Sequence, residues 1–239
     1  VPAGKDGGPF VLGGDEETFK HMYHVMAQEP REYRQVRRSP GDWHLLLHMA
    51  KAMLRRYSGA GVEFVAKDVG TDGSKSGEGS NNRRAHHHIT AFWAAFMALC
   101  RGVGDRPVGD DEVVHGVIRW IEARAEAHKT FAMWKQFLLH DYPVYIVFRT
   151  ALRTGNFRLK LGALRRIAPI LYITGNDKYL FLVVDHLTEV SRYSRNDVRV
   201  VSELFSVSLG PDTFARIGLD ERQEVAKRLY KTLTKRILS

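Results

Sequence analysis

From Arg83 to the end of the chain, apolar residues recur at helical spacing in one segment after another, interrupted mainly over 102–110. A chain patterned this way has to bury its core by packing the apolar stripes of helices together. Asp110-Asp111-Glu112 opens one of these helices, at the end where a helix dipole favours negative charge. Ala151–Ile173 and Lys178–Ser191 predict a packed antiparallel pair, joined by the turn Thr174-Gly175-Asn176-Asp177. The segment 202–209 fits either type of element, and a last helix is expected from about Leu219 onward.

Strand signals sit in the first forty residues. Phe10-Val11-Leu12, closed by Gly13-Gly14-Asp15, reads as a short buried strand ending in an acidic turn. Phe19, Met22, Tyr23 and Met26 then recur at helical spacing over 16–28, until Pro30 ends the pattern. Tyr33–Arg38 predicts a second strand, stopped by Ser39-Pro40-Gly41, after which Asp42 is expected to N-cap the helix beginning WHLLLHMAKAMLRRY. Thr71–Asn82 has no apolar residue and is expected to be a solvated, flexible loop. The 239 residues, 44% of them hydrophobic, can bury one substantial core with room for a second helical subdomain.

Lys and Arg number 36 against 27 Asp and Glu, a formal net charge of +9. Such a field attracts polyanions, nucleic acid or an acidic partner among them. The single cysteine, Cys100, excludes an internal disulfide framework and a cysteine-based zinc finger, and points to a reducing, intracellular compartment. It lies in the longest uncharged apolar stretch, Ile89–Cys100, which is far shorter than the ~20 residues of a membrane-spanning helix and is expected to be buried. No membrane partner is expected. The opening VPAGKDGGPF has no export signal and no initiating Met, so the chain is expected to be a fragment.

Four groups of side chains could carry chemistry. Asp15, at the end of a strand with two glycines before it, is placed either to ligate a divalent cation or to cap the following helix. Asp42, His44 and His48 could grip a metal or orient a phosphate, because residues four apart share a helix face; a structural role is the alternative. The run His86-His87-His88 points in three directions on a helix and cannot converge on one ion; one of the three is expected to be buried and two solvated. Asp220 and Glu224, one turn apart, could share a divalent ion or could complement the helix dipole. Basic residues are also clustered: Arg149, Arg153, Arg158, Lys160, Arg165 and Arg166, then Arg192, Arg195 and Arg199, then Lys227, Arg228 and Lys231. Such stripes suit a phosphate backbone.

In order, FVLGGDEETF, RSPGDWHLLLHMAKAMLRRYSGAG, NNRRAHHH, RTGNFRLKLGALRRIAPI and GLDERQEVAKRLYKTLTK resemble an uncharacterised eukaryotic family related to cut-and-paste transposases with an RNase H-like, DDE-type catalytic domain. That resemblance implies a mainly α fold carrying a partial RNase H-like α/β core of one or two short strands and a large all-helical insertion. It divides the chain into the partial core at 1–69, a loop at 70–82, the insertion at 83–210 and a C-terminal helix returning to the core at 211–239. It makes Asp15 the second acidic residue of the catalytic set, Glu224 the third, and Asp42-Trp43-His44 the counterpart of an Asp/Cys-to-His motif, although that motif spaces its residues one further apart. Asp15 and Glu224, with Asp220 beside them, would then hold Mg2+ or Mn2+ for attack of a water or a 3′-hydroxyl on a phosphodiester. The first acidic residue would come from a missing N-terminal strand, and without it the chain alone is expected to bind DNA rather than cut it; a homo-oligomer is the other partner the reading allows. A nuclear location goes with this reading. A non-catalytic helical module and a histidine-based metalloprotein are the alternatives, the latter lacking HExxH.

Overall fold

The computed structural model describes residues 9–68, 82–101, 111–212, 214, 216–223, 225–227 and 230. In chain order the elements are β1 (Phe10–Gly14), α1 (Glu16–Gln28), β2 (Val36–Pro40), α2 (Asp42–Arg56), α3 (Val62–Asp68), α4 (Asn82–Arg101), α5 (Asp111–Ala127) and α6 (Lys129–Gln136). A π-helical turn (Phe137–Asp141) follows, then α7 (Tyr142–Thr154), α8 (Phe157–Ile173), α9 (Asp177–Val190), α10 (Arg195–Leu204), β3 (Ser206–Ser208) and β4 (Arg216–Gly218). The protein is mainly α, with only short strands, as the periodicity predicts. None of the described helices is long and apolar enough to cross a membrane.

Contacts divide the chain into two compact units, one of residues 1–46 with 147–239 and one of residues 47–146. Residues 47–146 interrupt the first unit along the chain, and α8, α9 and α10 fall in the same unit as the strands. Within it α8 packs on α9 and α9 on α1 and β2, and Leu164, Ile167, Leu171, Leu182 and Val183 of the two helices are fully buried.

In that unit, β1, α1 and β2 form a parallel strand–helix–strand turn, with Phe10 opposite Val36 and Gly14 opposite Pro40. The Asp15 carboxylate accepts from the Thr18 N–H and caps α1, and Phe19 is fully buried beneath it. The second strand begins at Val36 rather than Tyr33, because 30–35 coil in turns closed by Tyr33 N–H to Glu29 O and Val36 N–H to Tyr33 O. The single helix expected over 151–173 is broken at Gly155, whose φ of +68° suits glycine, and Asn156 restarts it by accepting from the Leu159 N–H. The 202–209 segment is divided between the end of α10 and β3, which pairs antiparallel with β4.

The second unit is held by aromatic packing. Phe92 meets Phe137 at 4.7 Å and Trp134 edge-on at 5.8 Å, and Trp93 stacks on Tyr142 at 5.2 Å. Phe96, Ile121 and Leu138 form a buried cluster beside them. The buried carboxylate of Asp141 accepts from the Tyr57 hydroxyl at 2.7 Å and pairs with Arg56 at 3.1 Å. Most of the expected loop, the segment 102–110 and the side chain of Cys100 lie outside the described residues. Replacing Phe92, only 2% exposed, with alanine is expected to cost about 3–5 kcal/mol in chemical denaturation, since it empties the space against Phe137 and Trp134.

Candidate functional site

β1 and β2 end side by side at Gly14 and Pro40, which brings Asp15 and Asp42 to the carboxyl end of a parallel strand pair. Such ends, in open α/β sheets, are where ligands bind. Two further stretches converge on the same place, the buried end of Lys160 from α8 and residues 218–220 at the end of β4.

Asp42 is the first residue of α2, but its carboxylate is turned inward and not used as the expected cap. Oδ2 accepts from Lys160 Nζ at 2.7 Å, and the same ammonium lies 3.3 Å from Ser39 Oγ. Both partners are buried, Lys160 at 0% and Asp42 at 2% exposure. Burial pushes the Asp42 carboxyl up to about 6; the Lys160 charge opposes this and the neighbouring Asp220 adds to it. Lys160 was expected among the phosphate-facing cations. It is instead the internal partner of Asp42, because its position on α8 falls on the buried face with Phe157, Ala163 and Leu164.

The cap of α2 comes from Asp220. Its Oδ1 accepts from the Trp43 N–H and its Oδ2 from the His44 N–H, both at 3.1 Å, and Oδ2 also lies 3.0 Å from His44 Nδ1. A carboxylate 177 residues from Trp43 thus satisfies the first N–H groups of α2, where the helix dipole favours negative charge. Gly41 makes the approach possible: a Cβ there would stand 2.6 Å from Gly14 O and 2.7 Å from Asp220 Oδ2.

Asp15 faces the same region. The Thr18 N–H holds its carboxyl below the usual range against the effect of burial, and the charges of His44 and Lys227 act in the same direction. Burial, with Asp15, Glu16 and Asp220 nearby, pushes the Tyr179 hydroxyl up to about 12. Asp15, His44, Tyr179, Asp220 and Lys227 therefore share one electrostatic environment. Glu224, Arg228 and Lys231 lie outside the described residues. Among the described residues, no group of three or more His, Cys, Asp or Glu is placed to hold a metal ion, and both Asp220 oxygens already accept hydrogen bonds from α2.

The remaining candidates are dispersed. His48 is half-buried on α2. Of the histidine run, His88 is buried, His87 exposed and His86 half-buried with Nδ1 3.1 Å from the Tyr145 hydroxyl. Arg158, Arg165 and Arg166 are exposed on α8, and Arg149 is half-buried. Arg153 donates to Arg216 O and to Glu221 Oε1. Arg192, Arg195, Arg199 and Lys227 are exposed, with Arg199 paired to Glu203.

A further buried charge cluster, not anticipated from the sequence, lies at Arg38 of β2. Arg38, 8% exposed, pairs with Asp185 and Glu189 at 3.1 and 3.2 Å and lies over the rings of Phe19 and Tyr23. Beside it His186, fully buried, has its pKa pushed down to about 3 by burial, so the ring is neutral and its Nδ1–H donates to Arg38 O. The two acids four apart on α9 were the available signal.

No family model, no curated protein and no solved structure matches this chain.

Two measurements follow from the buried pair. Lys160→Met leaves an uncompensated buried carboxylate and is expected to cost about 3–5 kcal/mol above pH 7, by urea denaturation. Asp42 has a folded-state pKa above its ordinary 3.8, so its contribution to stability is full below about pH 4 and is lost as pH rises through about 6. His186, with a depressed pKa, acts oppositely, losing stability as pH falls below its ordinary 6.5. The stability of wild type relative to Asp42→Asn should therefore fall between about pH 4 and 6; a flat difference would show that Asp42 does not titrate there.

Proposed function

We propose that the chain is a DNA-binding segment of a transposase-derived, RNase H-like protein. One observation carries this reading: the acidic carboxyl ends of a parallel strand–helix–strand turn and a stretch from near the C-terminus, 218–220, meet through Asp220 and the first turn of α2. The resemblance puts the same two regions, one with an Asp just after a strand and one with acids on a late helix, at a common site. The net charge of +9 and the exposed arginines of α8 and α10 supply the attraction for a phosphate backbone. Among the described residues β1 pairs with β2 alone, which leaves a strand edge where a further strand bearing the first acidic residue would add.

A second reading, a non-catalytic module for nucleic acid, is favoured by a specific arrangement: Asp15 and Asp220 each cap a helix. The two readings share DNA binding and differ in cleavage.

Binding of a labelled duplex to the chain should weaken linearly in log affinity with log salt, at a slope set by the number of phosphates neutralised, and should persist in EDTA. Absence of binding at low salt would overturn both readings. Magnesium-dependent nicking would favour the first over the second.

A further inference from the structure

α8 has an outward face unlike that of its neighbours. Its sequence, FRLKLGALRRIAPILYI, contains no acidic residue, whereas α9 and α10 each carry both signs of charge. Arg158, Gly162, Arg165, Pro169 and Tyr172 follow one another at steps of four and three, so they form a single stripe along the helix, and all five are exposed. Arg166 flanks the stripe and is exposed too. Among the described residues no hydrogen bond or ion pair engages the side chains of Arg158, Arg165 or Arg166. Tyr172 closes the stripe at 71% exposure.

Two residues on this face disfavour helix without serving the core. Glycine costs about 1 kcal/mol and proline about 3 relative to alanine inside a helix. A Cβ at Gly162 would meet nothing within 4 Å, so internal packing does not account for the glycine. A partner lying close against the helix would. The stripe from Arg158 to Tyr172 is about 21 Å long at 1.5 Å per residue.

Resting on the DNA-binding reading above, we infer that this face binds single-stranded DNA, with Arg158, Arg165 and Arg166 on successive phosphates and Tyr172 stacked on an unpaired base. Uniform positive charge selects a polyanion. The exposed ring at its end selects an unstacked base, which a duplex does not offer. Gly162 lets the backbone of the strand pass close between the two arginines.

The test is fluorescence anisotropy with the full chain and a labelled oligothymidylate of about 12 nucleotides, alongside a duplex of the same length. Tyr172→Ala should weaken single-strand binding about tenfold and leave the duplex unaffected, and Tyr172→Phe should keep wild-type affinity. Arg165→Ala should reduce the salt slope by about 0.7. Gly162→Glu places a carboxylate in open space while raising helix propensity, so the chain should melt no lower and bind about tenfold more weakly. If wild type binds and these variants bind equally well, the α8 assignment is overturned while DNA binding stands. Equal loss on duplex and single strand for Tyr172→Ala overturns the stacking. Wild type that binds neither oligonucleotide, whether or not it binds anionic phospholipid vesicles, overturns the DNA-binding reading and this inference with it.

Discussion

The ion pair between Lys160 and Asp42 fixes the part of the structure on which the functional reading rests. A buried ammonium is tolerable only against a carboxylate held in place, and Asp42 is held because it begins α2 immediately after β2. That one contact ties α8 to the end of the strand pair. It also leaves the first N–H groups of α2 without the cap that Asp42 would have given them, and Asp220 fills that role. Three distant stretches are thus interlocked by charge at the place where the strands end. Desolvation there raises the pKa of Asp42 and keeps the neighbouring His186 neutral.

The same pair divides α8 into two functions. Its inner face carries Lys160 and the apolar residues that cover the first unit, while the outer face carries arginines, Gly162 and Tyr172. A helix anchored this firmly on one side can present a rigid row of charges on the other, which limits the entropy lost when a strand of nucleic acid is ordered along it.

Much of the local architecture could be read from the residues. Gly13-Gly14-Asp15 and Ser39-Pro40-Gly41 announced both strand ends, and the helical periodicity gave α1, α2, α8 and α9 to within a few residues, apart from the break at Gly155. The two possible uses of Asp15 were also legible, and its carboxylate does cap α1. What could not be read was which lysine of a basic row turns inward. Lys160 sits four residues before Leu164 on the apolar side, but a single charged residue in a row of cations carries no local mark of its distant partner. Likewise, α2 is capped by a residue 177 positions along the chain from Trp43, and no spacing rule spans that distance. The division of the chain into the two units carries no local mark either, since α8 and α9 look like their neighbours in period.

The account is tested most directly by ultraviolet cross-linking of oligothymidylate to the chain, followed by trypsin digestion and mass spectrometry. It predicts that the nucleotide adduct falls on the peptide of residues 167–178, at Tyr172. An adduct confined to peptides outside α8, with that peptide recovered unmodified, would contradict it.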